Sequence, residues 1–212
     1  SYTETLIDYK DIDEELSNKF LSIIDNECDR MARIVRNLLQ LSNLDYNKTK
    51  WNKVEYSVEK LIQDSCLKLE FAFKEKDQSF HIDIEEDIPD IVIDKDGMEQ
   101  VILNIISNAI KYTPNKGNID ILARKKDEKV IITVKDNGIG IPEEDKERIF
   151  ERFYRVDKGR SRELGGTGLG LSIAKQIVEA HGGKIILKSE YKVGTEVEII
   201  LPVVADVSFN LN

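Results

Sequence analysis

The sequence of 212 residues contains little cysteine, proline and histidine, and it has no long hydrophobic run. Its two cysteines, Cys28 and Cys66, lie far apart with no CxxC spacing, which argues against a disulfide framework or a zinc site and fits a reducing cytosol. The longest apolar stretches, such as residues 199–205, fall far short of the roughly 18 residues that a membrane span needs. With only 12 glycines and 4 prolines, the collagenous and low-complexity classes are excluded, so we expect a globular protein with a sizeable core.

Basic residues are also fewer than acidic ones, since 31 Lys and Arg against 40 Asp and Glu give a net charge of -9. An acidic surface repels phosphates over most of its area, so the composition predicts that the protein does not bind nucleic acid. The basic residues are concentrated in one segment: residues 146–162 hold seven of them and only three acidic residues. This segment is either a solvated helix face or a place where a small anion docks.

The N-terminal part has the pattern of a helical hairpin. Between residues 20 and 44 apolar side chains recur at strides of four and three, which predicts a long amphipathic helix. Residues 1–9 resemble the end of an earlier helix and residues 10–17 an acidic connection. The apolar seam of the long helix could pair with a partner helix or pack on the chain's own globular part. Because the chain begins at Ser1 without an initiator Met, we expect a piece of a longer protein whose other parts could include a membrane anchor.

A polar, patternless segment at residues 45–53 separates the hairpin from the rest. The predicted domains are therefore residues 1–45 and 53–212, joined by a linker over residues 46–52. In the second domain, helices are predicted over residues 58–76, 94–112, 143–150 and 172–181, and strands over residues 53–57, 79–84, 118–124, 129–135, 184–189 and 195–202. No regular βαβ repeat is present, so the predicted fold class is α+β, with helices layered on one mostly antiparallel sheet.

Two glycine-rich segments suit a phosphate-bearing ligand. The sequence GGTGLGLS at residues 165–172 stands directly before a predicted helix, where uncovered backbone N–H groups form a positive helix end. It has neither the Rossmann spacing nor the Lys-Ser/Thr of a Walker loop, and a flexible loop is the alternative interpretation. The sequence DNGIG at residues 136–140 follows a strand. Its carboxylate, Asp136, can accept a hydrogen bond from a ligand amine, although a plain turn would have the same composition.

The helix predicted over residues 94–112 has an unusual polar face. Asn104, Asn108 and Lys111 stand at i, i+4 and i+7 and therefore share one side, while the isoleucines between them serve the core. Two carboxamides and an ammonium in a line are costly to bury and have no purpose if exposed. Mg²⁺ takes oxygen ligands and usually shares them with the phosphates of a nucleotide, which is the chemistry that this face fits.

Taken in order, these motifs resemble the N, G1, F, G2 and G3 boxes of bacterial sensor histidine kinases. The resemblance is carried by Asn104, Asn108, Lys111 and Tyr112, then Asp136, Gly138 and Gly140, then Phe150 and Phe153, then Gly166, Gly168 and Gly170, and finally Gly194 and Thr195. It covers about residues 53–204 and extends to the hairpin, because in this family the catalytic domain follows a dimerising two-helix segment. The run FYRVDK at residues 153–158 is more narrowly similar to the WalK and PhoR type.

The resemblance implies a Bergerat-type ATP-binding sandwich with ATP and Mg²⁺ as its ligands. Asp136 would accept from the adenine amino group, with Thr195 at the adenine end, and Asn108 would coordinate Mg²⁺. Residues from about 155 to 166 would form a lid over ATP. The other ATP-binding residues implied are Asn104, Lys111, Tyr112, Gly138, Gly140, Lys158, Arg160, Arg162, Gly166, Gly168, Leu169 and Gly170.

The implied activity is transfer of the ATP γ-phosphoryl to a histidine, for relay to an aspartate of a response-regulator receiver domain. The same resemblance implies a homodimer through the hairpin and the cytoplasmic portion of a bacterial membrane sensor. The sequence contains only His81 and His181, and neither precedes the acidic residue and Leu-Arg-x-Pro run of the family's phosphoacceptor. We therefore expect both to be structural, the acceptor to be absent from this chain, and the chain alone to be unable to label itself.

Two other functions would also use a nucleotide site. An ATP-hydrolysing machine of the gyrase or chaperone kind, which shares this superfamily, places a Glu four residues before the Mg-binding Asn. Here that position is Asn104, a poor general base. A nucleotide-gated dimerisation module without kinase activity would have a degenerate site, whereas these boxes are intact. The sequence therefore favours phosphoryl transfer.

Overall fold

The structure, a computed structural model, describes residues 2–8, 13–46, 49–156 and 166–203. Two helices come first: α1 spans Tyr2–Asp8 and α2 spans Glu14–Asp45. Glu14 and Glu15 lie in the first turn of α2, where acidic side chains face the positive end of the helix. The expected acidic connection over residues 10–17 is therefore wrong for residues 14–17, and residues 10–12 lie outside the described residues. None of the helices in the described ranges is long and apolar enough to cross a membrane.

The last turns of α2 pack on the globular part of the chain. Leu41 is 2% exposed within the common core, and Asp45 accepts hydrogen bonds from Arg152 at 2.7 Å and from Gln176 at 3.0 Å. Further up the helix, the apolar side chains range from exposed, such as Met31 at 56%, to half-buried. The apolar seam thus contacts the chain's own globular part at its C-terminal end, whereas its earlier part, beside α1, is only partly covered in this single chain.

The second part of the chain confirms the α+β class. Its strands β1 to β7 span Lys53–Tyr56, Ser79–Ile84, Ile91–Asp94, Asn118–Lys126, Lys129–Asp136, Lys184–Glu190 and Gly194–Pro202, and its helices α3, α4 and α5 span Val58–Glu75, Lys95–Tyr112 and Gly170–Ala180. Within the described residues, five strands form one sheet in the order β2-β4-β5-β7-β6, in which β2 and β4 are parallel and the other neighbours antiparallel. β1 and β3 form a separate antiparallel pair.

The core lies between the sheet and the helices. Along β4, β5 and β7 every second side chain is buried, as the two-residue period of a strand requires when one face is covered. The covering side chains come from the apolar faces of α3, α4 and α5, whose opposite faces carry the polar residues. α4 contacts both α3 and α5 and therefore lies between them.

Two local expectations from the sequence are corrected. The strand Ile91–Asp94 is missing from the prediction because a short apolar run after Pro89 cannot be told from the start of the following helix. Residues 143–150 form a 3-10 turn over Glu143–Asp145 followed by further turns, rather than a helix. The backbone hydrogen bonds of this segment mostly join residues three apart; for example, the Glu151 N–H donates to the Arg148 carbonyl oxygen at 2.8 Å. These tighter turns bring Ile149 to the core and let the Tyr154 hydroxyl donate to Asp145.

His181 joins the ends of two helices to the segment before β1. Its Nδ1 donates to the Ile177 carbonyl oxygen at 2.7 Å, and its Nε2 accepts the backbone N–H of Asp94 at 2.9 Å. The ring of Trp51 packs edge-on at 5.0 Å between ring centroids. Only the neutral imidazole both donates and accepts in this way, and burial lowers the pKa of His181. His181 is therefore structural, and His81 lies exposed on β2.

We expect the protein to lose stability as the pH falls below about 6.5, because the unfolded chain binds a proton on His181 before the folded protein does. The stabilisation is fully present above the unfolded pKa and disappears towards the lower folded pKa. Urea unfolding at a series of pH values measures it. His181→Phe should flatten the pH dependence between about pH 7 and 5. An equal slope in His181→Phe and wild type would contradict the assignment.

Candidate functional site

The polar face of α4 is the centre of the candidate site. The helix begins where the Asp94 carboxylate accepts the Gly97 N–H at 2.9 Å, and it ends at Tyr112. Asn104, Asn108 and Lys111 are all half-buried along one side, whereas the isoleucines of the other side are buried in the core. The three side chains therefore lie partly exposed on one side of the helix rather than in the interior, as the spacing in the sequence predicts.

Asp136 is the last residue of β5 and is half-buried, two residues after the buried Val134. Its Oδ1 accepts the Gly138 N–H at 2.8 Å, and its register partner on β7 is Thr195, whose hydroxyl lies 3.0 Å from that of Ser189. Burial raises the pKa of the Asp136 carboxyl, and backbone hydrogen bonds from Gly138 and Thr195 oppose that shift. The result is a half-buried acceptor with a fixed orientation, and Thr195 stands beside it.

The loop after Asp136 is held from two sides. Ile139 donates its backbone N–H to the Tyr112 carbonyl oxygen at 3.2 Å, and its own carbonyl accepts from Lys192 at 2.7 Å. Gly140 has φ +63°, and a Cβ there would lie 2.0 Å from the Glu190 carbonyl oxygen. Only glycine fits such a position. The DNGIG segment therefore connects the C-terminal end of α4 to the turn between β6 and β7.

The second glycine-rich segment lies against the first half of the polar face. Asn104 donates from Nδ2 to the Gly170 carbonyl oxygen at 3.2 Å, and Gly170 begins α5, two residues earlier than the sequence predicts. Gly168 has φ +73°, and its carbonyl oxygen accepts the Phe153 N–H at 2.9 Å. Leu169, between these glycines, is buried. Contacts thus join the F, G2 and N boxes, which lie far apart in the sequence.

Lys111 is a half-buried cation at the other end of the face. Its ammonium lies 5.0 Å from the centroid of the Tyr112 ring, and a Cβ on Gly166 would be 2.6 Å from Nζ. Burial lowers the pKa of Lys111 to about 8, with Arg155 and Lys76 adding like-charge repulsion. A bound anion would relieve this repulsion and restore the charged form.

Arg155 falls in the lid predicted from the sequence, but it is not among the predicted ATP-binding residues. It lies close enough to Lys111 to influence its pKa, and its position directly after the F box is the signal that could have identified it. Lys158, Arg160 and Arg162, the lid cations expected from the sequence, lie outside the described residues. The structure therefore brings together the expected residues on α4, at Asp136, at Thr195 and in residues 166–170.

Comparisons with known proteins identify the family of the chain. The family model described as histidine kinase-, DNA gyrase B-, and HSP90-like ATPase matches residues 93–205. The sensor histidine kinase WalK of Bacillus subtilis (strain 168) is 41% identical over 208 residues, covering 95% of this chain and 33% of the relative. The sensor protein kinase WalK of Staphylococcus aureus is 41% identical over 204 residues, covering 95% of this chain and 49% of the relative. The chain thus spans between a third and a half of these curated relatives.

Solved structures show the same fold. The catalytic domain of histidine kinase ThkA matches with a TM-score of 0.65 and 29% identity, over 73% of this chain and 98% of that domain. ThkA in complex with the response regulator protein TrrA matches with a TM-score of 0.77 and 27% identity, over 97% of this chain and 57% of that chain. With the intact motifs meeting around α4, the chain belongs to the family of histidine kinase-, DNA gyrase B- and HSP90-like ATPases, and within it is similar to the catalytic part of WalK sensor histidine kinases.

Proposed function

We propose that the chain binds Mg²⁺-ATP on the polar face of α4 and transfers the γ-phosphoryl group to a histidine on a dimerising helical hairpin, for relay to a response-regulator aspartate. One observation carries the proposal: motifs from three separate parts of the sequence are joined by direct contacts around one helix. Asn104 contacts Gly170, and the Tyr112 carbonyl holds the loop that follows Asp136. A nucleotide needs this combination, because its base and its phosphates must be held at once.

The adenine end of the proposed site is Asp136, with Thr195 beside it. A carboxylate accepts a hydrogen bond from the amino group of adenine, whereas guanine presents a carbonyl oxygen at the same place. The Gly138 N–H holds one carboxylate oxygen at 2.8 Å, which orients the group before the nucleotide arrives. Gly138 and Gly140 keep the backbone close, so the base can lie against the loop. This arrangement favours ATP over GTP.

The phosphate end is the rest of the polar face. Lys111 supplies a cation, Tyr112 lies beside the nucleotide, and the backbone of Gly166, Gly168, Leu169 and Gly170 leads into the positive end of α5. Asn104 lies near the phosphates, and Lys158, Arg160 and Arg162 neutralise their charge from the lid.

Asn108 is the proposed Mg²⁺ ligand. Its carboxamide oxygen is a hard donor of the type that Mg²⁺ takes. The described residues contain no cluster of three His, Cys, Asp or Glu side chains that could hold a metal by themselves. This donor set fits an ion that receives its other ligands from phosphates and water, as Mg²⁺ commonly does. The ion would neutralise phosphate charge during transfer.

The residue four positions before Asn108 favours phosphoryl transfer over ATP hydrolysis. A hydrolytic relative would need a general base there to activate water. In this chain the position is Asn104, whose amide donates to the Gly170 carbonyl oxygen at 3.2 Å. A neutral carboxamide is not basic enough to take a proton from water.

The acceptor histidine lies outside this chain in our proposal, because His181 is 3% exposed with both ring nitrogens engaged, and the exposed His81 lacks the sequence that follows the family's phosphoacceptor. Residues 1–45 are then part of the dimerising hairpin, residues 46–52 the linker and residues 53–212 the catalytic domain. ThkA, a solved relative in this family, forms a complex with a response regulator, which supports a receiver domain as the partner of the whole protein. We also propose that the parent is a bacterial membrane sensor with this part on its cytoplasmic side.

Incubation with radiolabelled ATP and Mg²⁺ tests the proposal. We expect the chain alone to bind ATP without labelling itself, because it supplies the nucleotide and metal site but no acceptor. A separate hairpin carrying the family's histidine, taken from the Bacillus subtilis WalK, should become labelled slowly, since the tether that raises the effective concentration is absent. Acid-labile phosphate on the chain itself, lost in His81→Gln or His181→Phe, would contradict the proposal.

A further inference from the structure

Two side chains from the connection between α3 and β2 cap the end of α4. Lys76 Nζ donates to the carbonyl oxygens of Ile110, Lys111 and Thr113 at 2.8, 2.9 and 3.2 Å. Gln78 Nε2 donates to Ile110, Thr113 and Pro114 at 3.0, 2.9 and 3.3 Å. The last carbonyls of a helix have no partner within the helix, and a cation there also complements the helix dipole. The final turn of α4 is thus closed by groups more than thirty residues earlier in the sequence.

The cap is a fixed part of the fold. Gln78 is 9% exposed, and its backbone N–H donates to the Phe73 carbonyl oxygen at 3.2 Å. The Lys76 carbonyl accepts the Lys116 N–H at 3.1 Å, and Ser79 donates to Gly117 at 2.8 Å. Burial lowers the pKa of Lys76, so its ammonium is held in a place that would be unfavourable without the three carbonyls. These contacts tie the connection to both sides of the loop that follows α4.

The capped turn is also the part of α4 that serves the proposed nucleotide site. Lys76 contacts the carbonyl oxygen of Lys111, and the Lys111 ammonium is the proposed cation at the phosphate end. The next residue, Tyr112, holds the loop after Asp136, because its carbonyl oxygen accepts the Ile139 N–H. A shift of this one turn would therefore displace the phosphate contact and the adenine contact together. Neither Lys76 nor Gln78 belongs to the motifs that identify the site.

We infer that Lys76 and Gln78 are positioning residues for nucleotide binding: they hold the last turn of α4 so that Lys111 faces the phosphates and the Asp136 loop faces the base. This inference rests on the proposed function. Lys76 has a second effect, because its charge repels that of Lys111. The charged groups that face Lys111 are Lys76 from the connection and Arg155 from the segment after the F box, with the Tyr112 ring on its own helix.

The two effects of Lys76, its cap on α4 and its repulsion of Lys111, act in opposite directions on ATP binding, and the pH dependence of binding separates them. ATP binding should weaken above about pH 8, where Lys111 loses its proton in the free protein. Lys76→Met removes the cap and so lowers affinity, but it also removes a like charge and therefore raises the pKa of Lys111. The pH at which binding weakens should move upwards although the affinity is lower. A cap that only stabilised the fold would leave the affinity of the folded variant unchanged, whereas a positioning residue lowers it.

Calorimetric titration of the whole chain with Mg²⁺-ATP from about pH 6.5 to 9.5 tests the inference. We expect Lys76→Met to lower the affinity for ATP about tenfold at neutral pH and to raise the pH at which binding weakens. Lys76→Arg keeps the charge and the donors, so it should retain most of the wild-type affinity. Gln78→Leu should lower the affinity without moving the midpoint, because the amide is neutral. Lys74→Met is the matched control: its ammonium pairs with Glu70 on the exposed side of α3, so affinity should stay within about twofold.

Thermal unfolding of each variant separates folding from positioning. If Lys76→Met does not fold, Lys76→Gln, which keeps one amide donor, replaces it and should show the same direction of both effects. Wild-type affinity in either variant, or a lower affinity with an unmoved midpoint and no recovery by Lys76→Arg, would overturn the inference. A wild-type chain that does not bind ATP would instead overturn the proposed function on which it rests.

Discussion

Asp136→Asn should weaken the binding of ATP by about tenfold or more. A hydrogen bond to a charged acceptor contributes about 1.5–3 kcal/mol, and each 1.4 kcal/mol corresponds to a factor of about ten in affinity. The substitution replaces a carboxylate by an amide that can also donate, and donation towards the adenine amino group is unfavourable. The fold should remain intact, because an Asn oxygen can still accept the Gly138 N–H that Asp136 Oδ1 accepts at 2.8 Å. Calorimetric titration with Mg²⁺-ATP measures the change.

Titration with GTP makes the test of Asp136 more specific. The amide of Asp136→Asn can donate to the carbonyl oxygen of guanine, so the preference for ATP over GTP should narrow as ATP affinity falls. Asp120→Asn is the control: it lies on β4 between two buried isoleucines, so its side chain points to the other face of the sheet. ATP affinity should be unchanged there. Near wild-type affinity in Asp136→Asn would show that this carboxylate does not contact the base.

Asn108→Ala should remove the dependence of ATP binding on Mg²⁺ and slow labelling of a hairpin substrate by about a hundredfold or more. The proposed partner of Asn108 is the metal ion, which neutralises the phosphates during transfer. A loss of about 2.7 kcal/mol in the transition state corresponds to that factor of a hundred. Titrations with ATP in Mg²⁺ and in a chelator, together with initial rates of labelling, measure both effects.

The structure provides a matched control for the Asn108 experiment. Asn115 is an exposed asparagine just past the end of α4, so Asn115→Ala removes an equal side chain without touching the polar face. It should leave both the Mg²⁺ dependence and the labelling rate unchanged. If Asn108→Ala instead lost the same affinity with and without Mg²⁺, Asn108 would be a structural residue. In that case another group would have to hold the metal.

The polar face of α4 illustrates what a local pattern can reveal. Asn104, Asn108 and Lys111 are spaced by the helical period, and the isoleucines between them are apolar, so one stretch of sequence defines both the helix and its two faces. The strand over residues 79–84 is predicted for the same reason, since its alternation is visible in its own residues. Positions in the family motifs then supply candidate roles that physics alone leaves open.

Residues 143–150 show where the same reasoning fails. Pro142 followed by acidic residues is a proper helix start, yet the segment forms tight turns. The Phe153 N–H must reach the Gly168 carbonyl oxygen, which it does at 2.9 Å with φ +63° at Phe153. A regular helix would not bring the chain to that point. A contact with a residue fifteen positions later therefore overrides the local preference, as tertiary contacts commonly do.

The sequence by itself determined the fold class, most of the helices and strands, the family and the residues proposed to bind ATP and Mg²⁺. It could do so because periodicity and motif spacing depend on neighbouring residues. Only the tertiary structure decided which distant groups meet: Asn104 with Gly170, the Tyr112 carbonyl with the Asp136 loop, and Lys76 with the end of α4. These contacts depend on how the helices pack on the sheet. That packing is set by the shape of the whole core, and no local pattern in the sequence contains it.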